Sequence, residues 1–152
     1  MLDIITKNHI TLFLAVVGSA LGVINLWHQL KKDKLRVKVI PIFVVSYTAQ
    51  NKIKQLGVEV INRSNYAVTI HEVGFFTRNV KRDGRMVIVS PITADGKPWP
   101  RRLEPRESVT ACPNNNIFNE KDFKQIKKAY ARTACGYTFY GTSKVLKNLV
   151  KK

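Results

Sequence analysis

The chain has 152 residues, with 26 Lys and Arg against 10 Asp and Glu, and a formal net charge of +16. This length fits one ordinary domain of roughly 100–150 residues, and the 45% of hydrophobic residues excludes a disordered polycation. Two Cys and three His exclude a disulfide framework and disfavour a structural zinc cluster. A strongly basic chain is typical of nucleic-acid-binding proteins, but the meaning of the charge depends on where it lies.

An apolar segment near the N-terminus predicts a transmembrane helix. Residues 10–27 contain no charged side chain, and a helix of that length covers roughly 27 Å, close to the ~30 Å hydrocarbon core of a bilayer. We predict that the membrane span covers residues 10–30, with Trp27 at the interface. A helix buried in a protein core is the alternative, but the rest of the chain is short for enclosing one that is apolar on every side.

A cleaved signal peptide is a second alternative for this segment. Gly18, Ser19 and Ala20 resemble a cleavage site of small residues. However, Lys7 is the only basic side chain before the apolar run and Asp3 offsets it, whereas signal peptides begin with a positive region. The apolar run also continues past Ala20, and we therefore favour an uncleaved anchor.

The charges on the two sides of the anchor predict its orientation. By the positive-inside rule, the side with more basic residues stays in the cytoplasm. Residues 1–9 are then a short extracytoplasmic N-terminus, and the protein is a single-pass protein of a bacterial inner membrane with its C-terminal domain in the cytoplasm. The basic juxtamembrane segment 31–38 is predicted to contact anionic lipid through Lys31, Lys32, Lys34, Arg36 and Lys38.

One face of the predicted anchor carries small and polar side chains. They follow heptad spacing, and Gly18 and Gly22 form a small-xxx-small pair that lets two helix backbones approach closely. Glycine is frequent in membrane helices in general, which weakens the pair taken alone. We predict that this face pairs with a second copy or with a partner membrane helix, through Thr11, Ala15, Gly18, Gly22, Asn25 and Gln29.

Beyond the anchor, the hydrophobic period changes to that of strands. Residues 35–40 alternate apolar and basic side chains, and Pro41 indicates an edge strand or a bulge before residues 42–47. Further strands are predicted at residues 55–61, 67–76 and 108–111. Asp83 and Gly84 predict a tight turn into residues 86–89, whereas the proline-rich residues 91–106 predict a loop.

Short strands separated by frequent turn signals predict an antiparallel sandwich over residues 39–143. Residues 103–109, Leu-Glu-Pro-Arg-Glu-Ser-Val, resemble the turn before a late strand in immunoglobulin-like and fibronectin-like domains. The predicted fold class is therefore mainly β: a transmembrane helix followed by an antiparallel immunoglobulin-like β-sandwich with short C-terminal helices. The inter-sheet Cys pair and intervening Trp of an immunoglobulin domain are missing, since Trp99 lies in the proline loop.

The last part of the chain alternates between helix and hairpin patterns. Helical spacing of Phe123, Ile126 and Tyr130 predicts a short helix near residues 120–130. Residues 130–140 predict a hairpin around Ala134, Cys135 and Gly136. Ser143 can cap a basic helix over residues 144–152, which packs on the sandwich or lies on the membrane.

The layout as a whole resembles that of uncharacterised single-pass membrane proteins with a cytosolic β-sandwich from bacterial and prophage genomes. The resemblance consists of an anchor, a basic juxtamembrane segment, a small sandwich and a basic terminal helix. It implies no site residues and no activity.

Catalytic residues are scarce in the sequence. His71 is the only histidine of the soluble part, and it lies in a predicted strand beside Glu72 without a partner for general-base catalysis. Cys112 and Cys135 are expected to be free thiols in a reducing compartment, and they could form a disulfide if the segment is cleaved or the topology is the opposite one. We expect no enzyme activity, no metal, no cofactor and no small-molecule substrate.

Half of the positive charge lies at the two ends of the cytosolic part. Residues 31–38 and 144–152 carry +4 each, and residues 39–143 carry +8. We therefore expect a non-catalytic membrane-anchored interaction module that self-associates or joins a membrane complex. The alternative is a membrane-tethered nucleic-acid-binding protein, with candidate phosphate contacts at Arg78, Lys81, Arg82, Arg85, Arg101 and Arg102.

Overall fold

The computed structural model describes residues 2–32, 34–47, 52–77, 84–114 and 125–151. These residues belong to two compact units, residues 1–34 and residues 35–152. The first unit is one helix, and the second is a β domain. Leu35 and Val37, at the start of the second unit, pack against the core of the β domain.

The first unit consists of helix α1, Leu2–Lys32, which has 31 residues. The predicted span of residues 10–30 lies entirely within it. Its last turn carries Lys31 and Lys32, where positive side chains interact favourably with the negative end of the helix dipole.

The second unit contains nine strands and one helix among its described residues. The strands are β1 Val37–Tyr47, β2 Lys52–Asn62, β3 Val68–Thr77, β4 Arg85–Val87, β5 Ile92–Thr93, β6 Arg101–Leu103, β7 Ser108–Cys112, β8 Ile126–Thr133 and β9 Thr138–Gly141. Helix α2, Lys144–Lys151, follows β9.

The strands form two antiparallel sheets. The first sheet has the order β1-β2-β7-β5, and the second has the order β4-β3-β8-β9, with β6 also paired to β3. β3 and β4 pair antiparallel, with Phe75 opposite Met86, whereas Asp83 of the predicted turn lies outside the described residues. The predicted hairpin of residues 130–140 is present, as β8 and β9 pair from Ala129↔Gly141 to Arg132↔Thr138.

Both sheets contribute alternate side chains to one hydrophobic core. Leu56, Val58 and Val60 of β2 are fully buried in it, as are Val73 and Phe75 of β3. This period of two is what the strand patterns predicted. Burial of each such side chain contributes about 1.5–3 kcal/mol to stability. The mainly β fold with two antiparallel sheets is therefore confirmed.

The expected interruption at Pro41 is absent. β1 pairs with β2 in unbroken register from Val37↔Asn62 to Tyr47↔Lys52, and Pro41 lies opposite Val58. β1 is an edge strand, as predicted. An edge strand uses only every other N–H group for pairing, so a proline is accommodated there without a bulge.

The predicted helix near residues 120–130 does not extend beyond Gln125, which is helical. Residues 126–133 form strand β8, and residues 115–124 lie outside the described residues. Ile126 and Tyr130 were expected on one helix face, but Ile126 belongs to the core whereas Tyr130 packs outside it. Pairing of β8 with both β3 and β9 outweighs the weak helical periodicity of this segment.

The proline-rich residues 91–106 contain two short strands where only a loop was expected. β5 pairs with β7 and β6 pairs with β3, so this segment crosses between the two sheets. Trp99 lies in it and donates a hydrogen bond from Nε1 to the carbonyl of His71 at 2.8 Å. This bond holds the crossing segment against β3.

The predicted cap of the terminal helix is confirmed. The amide of Leu146 donates to Ser143 Oγ at 3.2 Å, and the Leu146 side chain is buried in the core. The helix therefore packs on the sandwich through Leu146, which was one of the two alternatives for this segment.

Asn62 ties together the turns at one end of the β domain. Its side chain is fully buried, and Nδ2 donates to the carbonyls of Tyr66, Leu103 and Glu104 at 2.8, 3.1 and 3.2 Å. Its Oδ1 accepts from the amide of Ser64 at 2.9 Å. One amide side chain thus satisfies backbone groups in the β2–β3 turn and in the β6–β7 turn.

Candidate functional site

Helix α1 exposes its apolar side chains on every side. Residues 9–32 are long and apolar enough to cross a membrane, with a mean hydropathy of 2.0 and none of this stretch buried. Leu12, Phe13 and Val23 are each exposed by about two thirds, at 66%, 67% and 69%. A helix of this kind is not the core helix of a soluble domain, because a core helix would be buried.

The predicted association face lies along α1. All six of its residues are exposed and fall within this one continuous helix, so their heptad spacing keeps them in a single stripe. A Cβ atom added at Gly18 or Gly22 meets nothing within 4 Å. Nothing in this unit fills the notch that the two glycines leave.

The predicted lipid-contact residues are exposed, but they belong to different elements. Lys31 and Lys32 end α1, and the Lys31 ammonium lies 3.6 Å from the centre of the Trp27 ring. Lys34 ends the first unit, whereas Arg36 precedes β1 and Lys38 lies within it. The Lys31–Trp27 contact is a cation–π interaction between two residue types that favour a membrane interface.

The candidate phosphate contacts do not form one patch of exposed, unpaired cations in the described residues. Arg78, Lys81 and Arg82 lie outside the described residues. Arg101 is buried and binds Asp95 and Glu107 through one guanidinium nitrogen, at 2.7 and 3.0 Å. Its Nε is buried without a hydrogen-bond partner in the described structure.

The last two candidates, Arg85 and Arg102, lie on different strands. Arg102 is exposed in β6 and pairs with Glu104 at 3.1 Å. Arg85 is exposed in β4 and stacks on aromatic rings. The two strands flank separate halves of β3, since β6 pairs with residues 68–70 and β4 with residues 74–76.

An aromatic cluster, which sequence reasoning missed, covers the outer face of the second sheet. We call it the ring cluster, and it consists of Phe76 of β3, Tyr130 of β8 and Tyr140 of β9. The Phe76 ring lies 5.0 Å from the Tyr130 ring and 5.5 Å from the Tyr140 ring. The two adjacent phenylalanines of β3 therefore separate: Phe75 joins the core, and Phe76 is buried against these tyrosines on the other face.

Cations border the ring cluster. The Lys128 ammonium lies 3.7 Å from the Tyr140 ring centre, and the Arg85 guanidinium lies 5.6 Å from that of Phe76. Such cation–π contacts contribute about 0.5–1 kcal/mol at exposed sites. Tyr140 is 50% exposed, so this side of the cluster is accessible. Alternation along β8 places Arg132 on the same face, and it is exposed.

One carboxylate binds to the ring cluster. The Tyr130 hydroxyl donates a hydrogen bond to Glu72 of β3. Burial raises the pKa of the Tyr130 hydroxyl, and the hydrogen bond to Glu72 raises it further. The phenol therefore stays neutral and anchors the centre of the cluster.

The histidine and the two cysteines of the β domain lie on different elements: His71 in β3, Cys112 in β7 and Cys135 in the β8–β9 turn. His71 is exposed, and Cys112 and Cys135 are free thiols. Cys112 is buried in β7, where desolvation raises the pKa of its thiol, whereas Cys135 is exposed in the β8–β9 turn. The described residues contain no group of three or more His, Cys, Asp and Glu that could hold a metal ion.

Comparison of the chain with models of known protein families, with curated proteins and with solved structures found no match.

Proposed function

We propose that this chain is a single-pass membrane protein whose β domain is a non-catalytic, immunoglobulin-like interaction module. The observation that carries the proposal is the exposure of α1. Residues 9–32 are apolar and unburied, and a helix exposing this much apolar surface is stable only against lipid or another apolar surface. A helix of 24 residues is about 36 Å long, enough to span the hydrocarbon core with some tilt.

The orientation of this proposal follows from charge. The basic residues 31–38 favour a bacterial inner membrane with the N-terminus outside and the β domain in the cytoplasm. In that compartment Cys112 and Cys135 stay reduced. Protease protection of spheroplasts from cells expressing the full chain tests the orientation. Externally added protease is expected to remove a short N-terminal tag and to leave a C-terminal tag intact; the reverse result overturns this topology.

The strand order supports the immunoglobulin-like part of the proposal. A constant-type immunoglobulin domain has sheets in the order ABED and CFG. Strands β1, β2, β7 and β5 correspond to A, B, E and D, and β3, β8 and β9 correspond to C, F and G. The chain departs from antibody domains in its cysteines, because Cys112 lies in β7 rather than in the B or F strand.

We further propose that the anchor self-associates, or pairs with a partner helix, through the stripe that contains Gly18 and Gly22. Close backbone approach at the glycines and a hydrogen bond from Asn25, worth about 0.6–2 kcal/mol, would stabilise the pair. The test is a membrane reporter of helix association that carries residues 9–32.

Gly18→Leu with Gly22→Leu is expected to abolish the reporter signal. The matched control is Val16→Leu with Ala20→Leu, which has the same spacing about 200° around the helix and is expected to leave the signal unchanged. Equal signals from the wild type and the glycine variant would contradict association through this stripe.

Nucleic-acid binding is the second candidate function. It is favoured by the cations around the ring cluster, with Lys128 beside the exposed Tyr140 ring and Arg85 beside Phe76, since cations with an aromatic ring bind single strands by phosphate contact and stacking. Retention of the full chain in nanodiscs on DNA or RNA, measured against salt, tests it. A steep loss of retention with salt supports this candidate, and no retention at low salt removes it.

A further inference from the structure

Three arginines from distant parts of the sequence meet at one end of the β domain. Arg36 precedes β1, Arg63 lies in the β2–β3 turn, and Arg106 lies in the β6–β7 turn. The amide of Arg63 donates to the carbonyl of Arg36 at 2.7 Å, and the amide of Arg106 donates to the carbonyl of Asn62 at 2.9 Å. Backbone hydrogen bonds therefore hold the three positions together.

The side chains of these arginines are exposed and carry uncompensated charge. Arg36, Arg63 and Arg106 take part in no ion pair among the described residues, where the ion pairs involve Arg101 and Arg102. The two carboxylates at the same end, Glu104 and Glu107, are engaged by those other arginines. The end of the domain is therefore positive.

Two tyrosines lie at the same end. Tyr66 is in the β2–β3 turn and is 39% exposed, and Tyr137 is in the β8–β9 turn and is 64% exposed. The amide of Ala134 donates to the carbonyl of Thr69 at 2.8 Å, which brings the β8–β9 turn next to the start of β3. Tyrosine is enriched where a protein meets the interface of a bilayer.

The chain connects this end of the domain to the anchor. β1 begins here, at Val37, and residues 33–36 separate it from the last residue of α1. Even a fully extended chain covers at most roughly 18 Å over these steps. If α1 spans the membrane, β1 therefore starts close to the lipid headgroups.

We propose that the arginine–tyrosine end, consisting of Arg36, Arg63, Tyr66, Arg106 and Tyr137, binds anionic phospholipid headgroups of the membrane that holds the anchor. This inference rests on the proposed membrane anchoring and adds a second lipid contact to it. Each arginine at an anionic surface raises the ratio of docked to undocked domain roughly fivefold. Arg63 and Arg106 lie near the juxtamembrane Arg36 only when the domain is folded, because backbone hydrogen bonds of the fold bring them there.

The test uses the full chain with Cys112→Ala, reconstituted into nanodiscs and labelled with a small fluorophore on Cys135. Cys135 is exposed in the β8–β9 turn at this same end, so its fluorophore reports the distance to the lipid surface. The nanodiscs contain phosphatidylcholine alone or mixed with phosphatidylglycerol, plus a trace of lipid with a nitroxide on its headgroup. Quenching by the nitroxide is measured.

Quenching is expected to be at least about twofold stronger with phosphatidylglycerol and to fall as salt is raised. Substitution of Arg36, Arg63 and Arg106 by Gln is expected to return it to the phosphatidylcholine level. The matched control changes Lys127, Lys144 and Lys147 to Gln. It removes the same charge from exposed positions in β8 and α2, and it is expected to keep the quenching.

Equal quenching in the two lipids, or a triple arginine variant that quenches like the wild type, overturns the inference. The arginine variant retains the described hydrogen bonds, which are made by backbone atoms, and an unchanged Tm confirms that it folds. Failure of the wild type to enter nanodiscs at all would instead refute the membrane anchor. The two failures are therefore distinguishable.

Discussion

Tyr130 in β8 and Glu72 in β3 are joined by a hydrogen bond across two neighbouring strands, on the face of the sheet that points away from the core. Tyr130 is fully buried there, and the Phe76 ring packs on it at 5.0 Å. The sheet thus has a second buried layer. Side-chain alternation alone would assign this face to solvent.

Tyr130→Phe is expected to change the pH dependence of stability. Because the pKa of Tyr130 is raised in the folded state, the unfolded chain loses its phenol proton first as pH rises above about 10. The wild type therefore loses extra stability in this range, by at most about 1.4 kcal/mol per pH unit. Urea unfolding at several pH values measures the difference between wild type and variant.

Tyr140→Phe is the matched control for that experiment, because the Tyr140 ring is half exposed. This variant is expected to lose stability above about pH 10 as the wild type does. A Tyr130→Phe variant that loses stability as steeply as the wild type above pH 10 would contradict the attribution of this loss to the raised pKa of Tyr130.

Gly74→Ala is expected to destabilise the β domain by roughly 1–3 kcal/mol or more, as overpacking in a rigid site does. A Cβ atom at Gly74 would lie 2.0 Å from the Met86 carbonyl oxygen and 3.0 Å from the Tyr130 ring. Gly57→Ala is the milder comparison, because its nearest neighbour is the Cys112 Sγ at 3.0 Å. Thermal and urea unfolding measure the loss of stability in both variants. An equal loss at the two positions contradicts the expectation that Gly74→Ala costs more.

Asn62→Ala is expected to cost roughly 2–4 kcal/mol, because it leaves buried carbonyls without a donor. Three carbonyls depend on its Nδ2, in two turns that are far apart in the sequence. Asn65→Ala, in the same turn but exposed, is expected to change stability by no more than about 0.5 kcal/mol. If the two variants unfold at the same urea concentration, Asn62 does not organise this end of the domain.

Arg106→Gly is expected to stabilise the domain. Arg106 has a φ of 67°, a left-handed conformation that costs a residue with a Cβ about 1–2 kcal/mol. Glycine removes this cost but loses more chain entropy on folding, by about 0.5–1 kcal/mol. The expected net gain is about 0.5–1 kcal/mol, measured as an increase in the urea midpoint at constant m-value. A decrease in the midpoint would show that the Arg106 side chain contributes more than its strain costs.

The two thiols are expected to react at different rates. A maleimide at neutral pH should modify the exposed Cys135 within minutes, whereas Cys112 is buried with a raised pKa and should react only when the domain opens. Mass spectrometry of peptides after timed labelling measures both rates. Equal rates in the folded protein, with urea-unfolded protein as the reference, would contradict the burial of Cys112.

Local patterns in the sequence were sufficient to predict most of the helices and strands. The alternation of residues 55–61 predicted β2, and Ser143 predicted the start of the terminal helix, because both signals depend on near neighbours. The segment around Ile126 misled, because Ile126 and Tyr130 have helical spacing but lie in a strand whose register shifts between them. Pairing with two neighbouring strands resolved that ambiguity, and it is not a local property.

The surfaces were harder to predict than the elements. The stripe on α1 needs only helical geometry, and so its six residues could be placed on one helix face from their spacing. By contrast, the ring cluster joins Phe76, Tyr130 and Tyr140 from three strands, and the arginine–tyrosine end joins three turns. Arg101 was a candidate phosphate contact in the sequence, but the folded chain brings Asp95 and Glu107 to it. Such sets depend on strand order and register.

The unbroken ladder between β1 and β2 determines how the domain would respond to force. A pull along the chain from residue 34 enters the domain at Val37, the first of eleven residues in β1. Because β1 is paired with β2 along its entire length, a pull directed along the strand axis loads the whole ladder at once. Its hydrogen bonds then share the load in shear instead of opening one by one. Proline at position 41 interrupts neither the register nor this sharing, so the first strand is a mechanically strong attachment point for whatever holds the N-terminal helix.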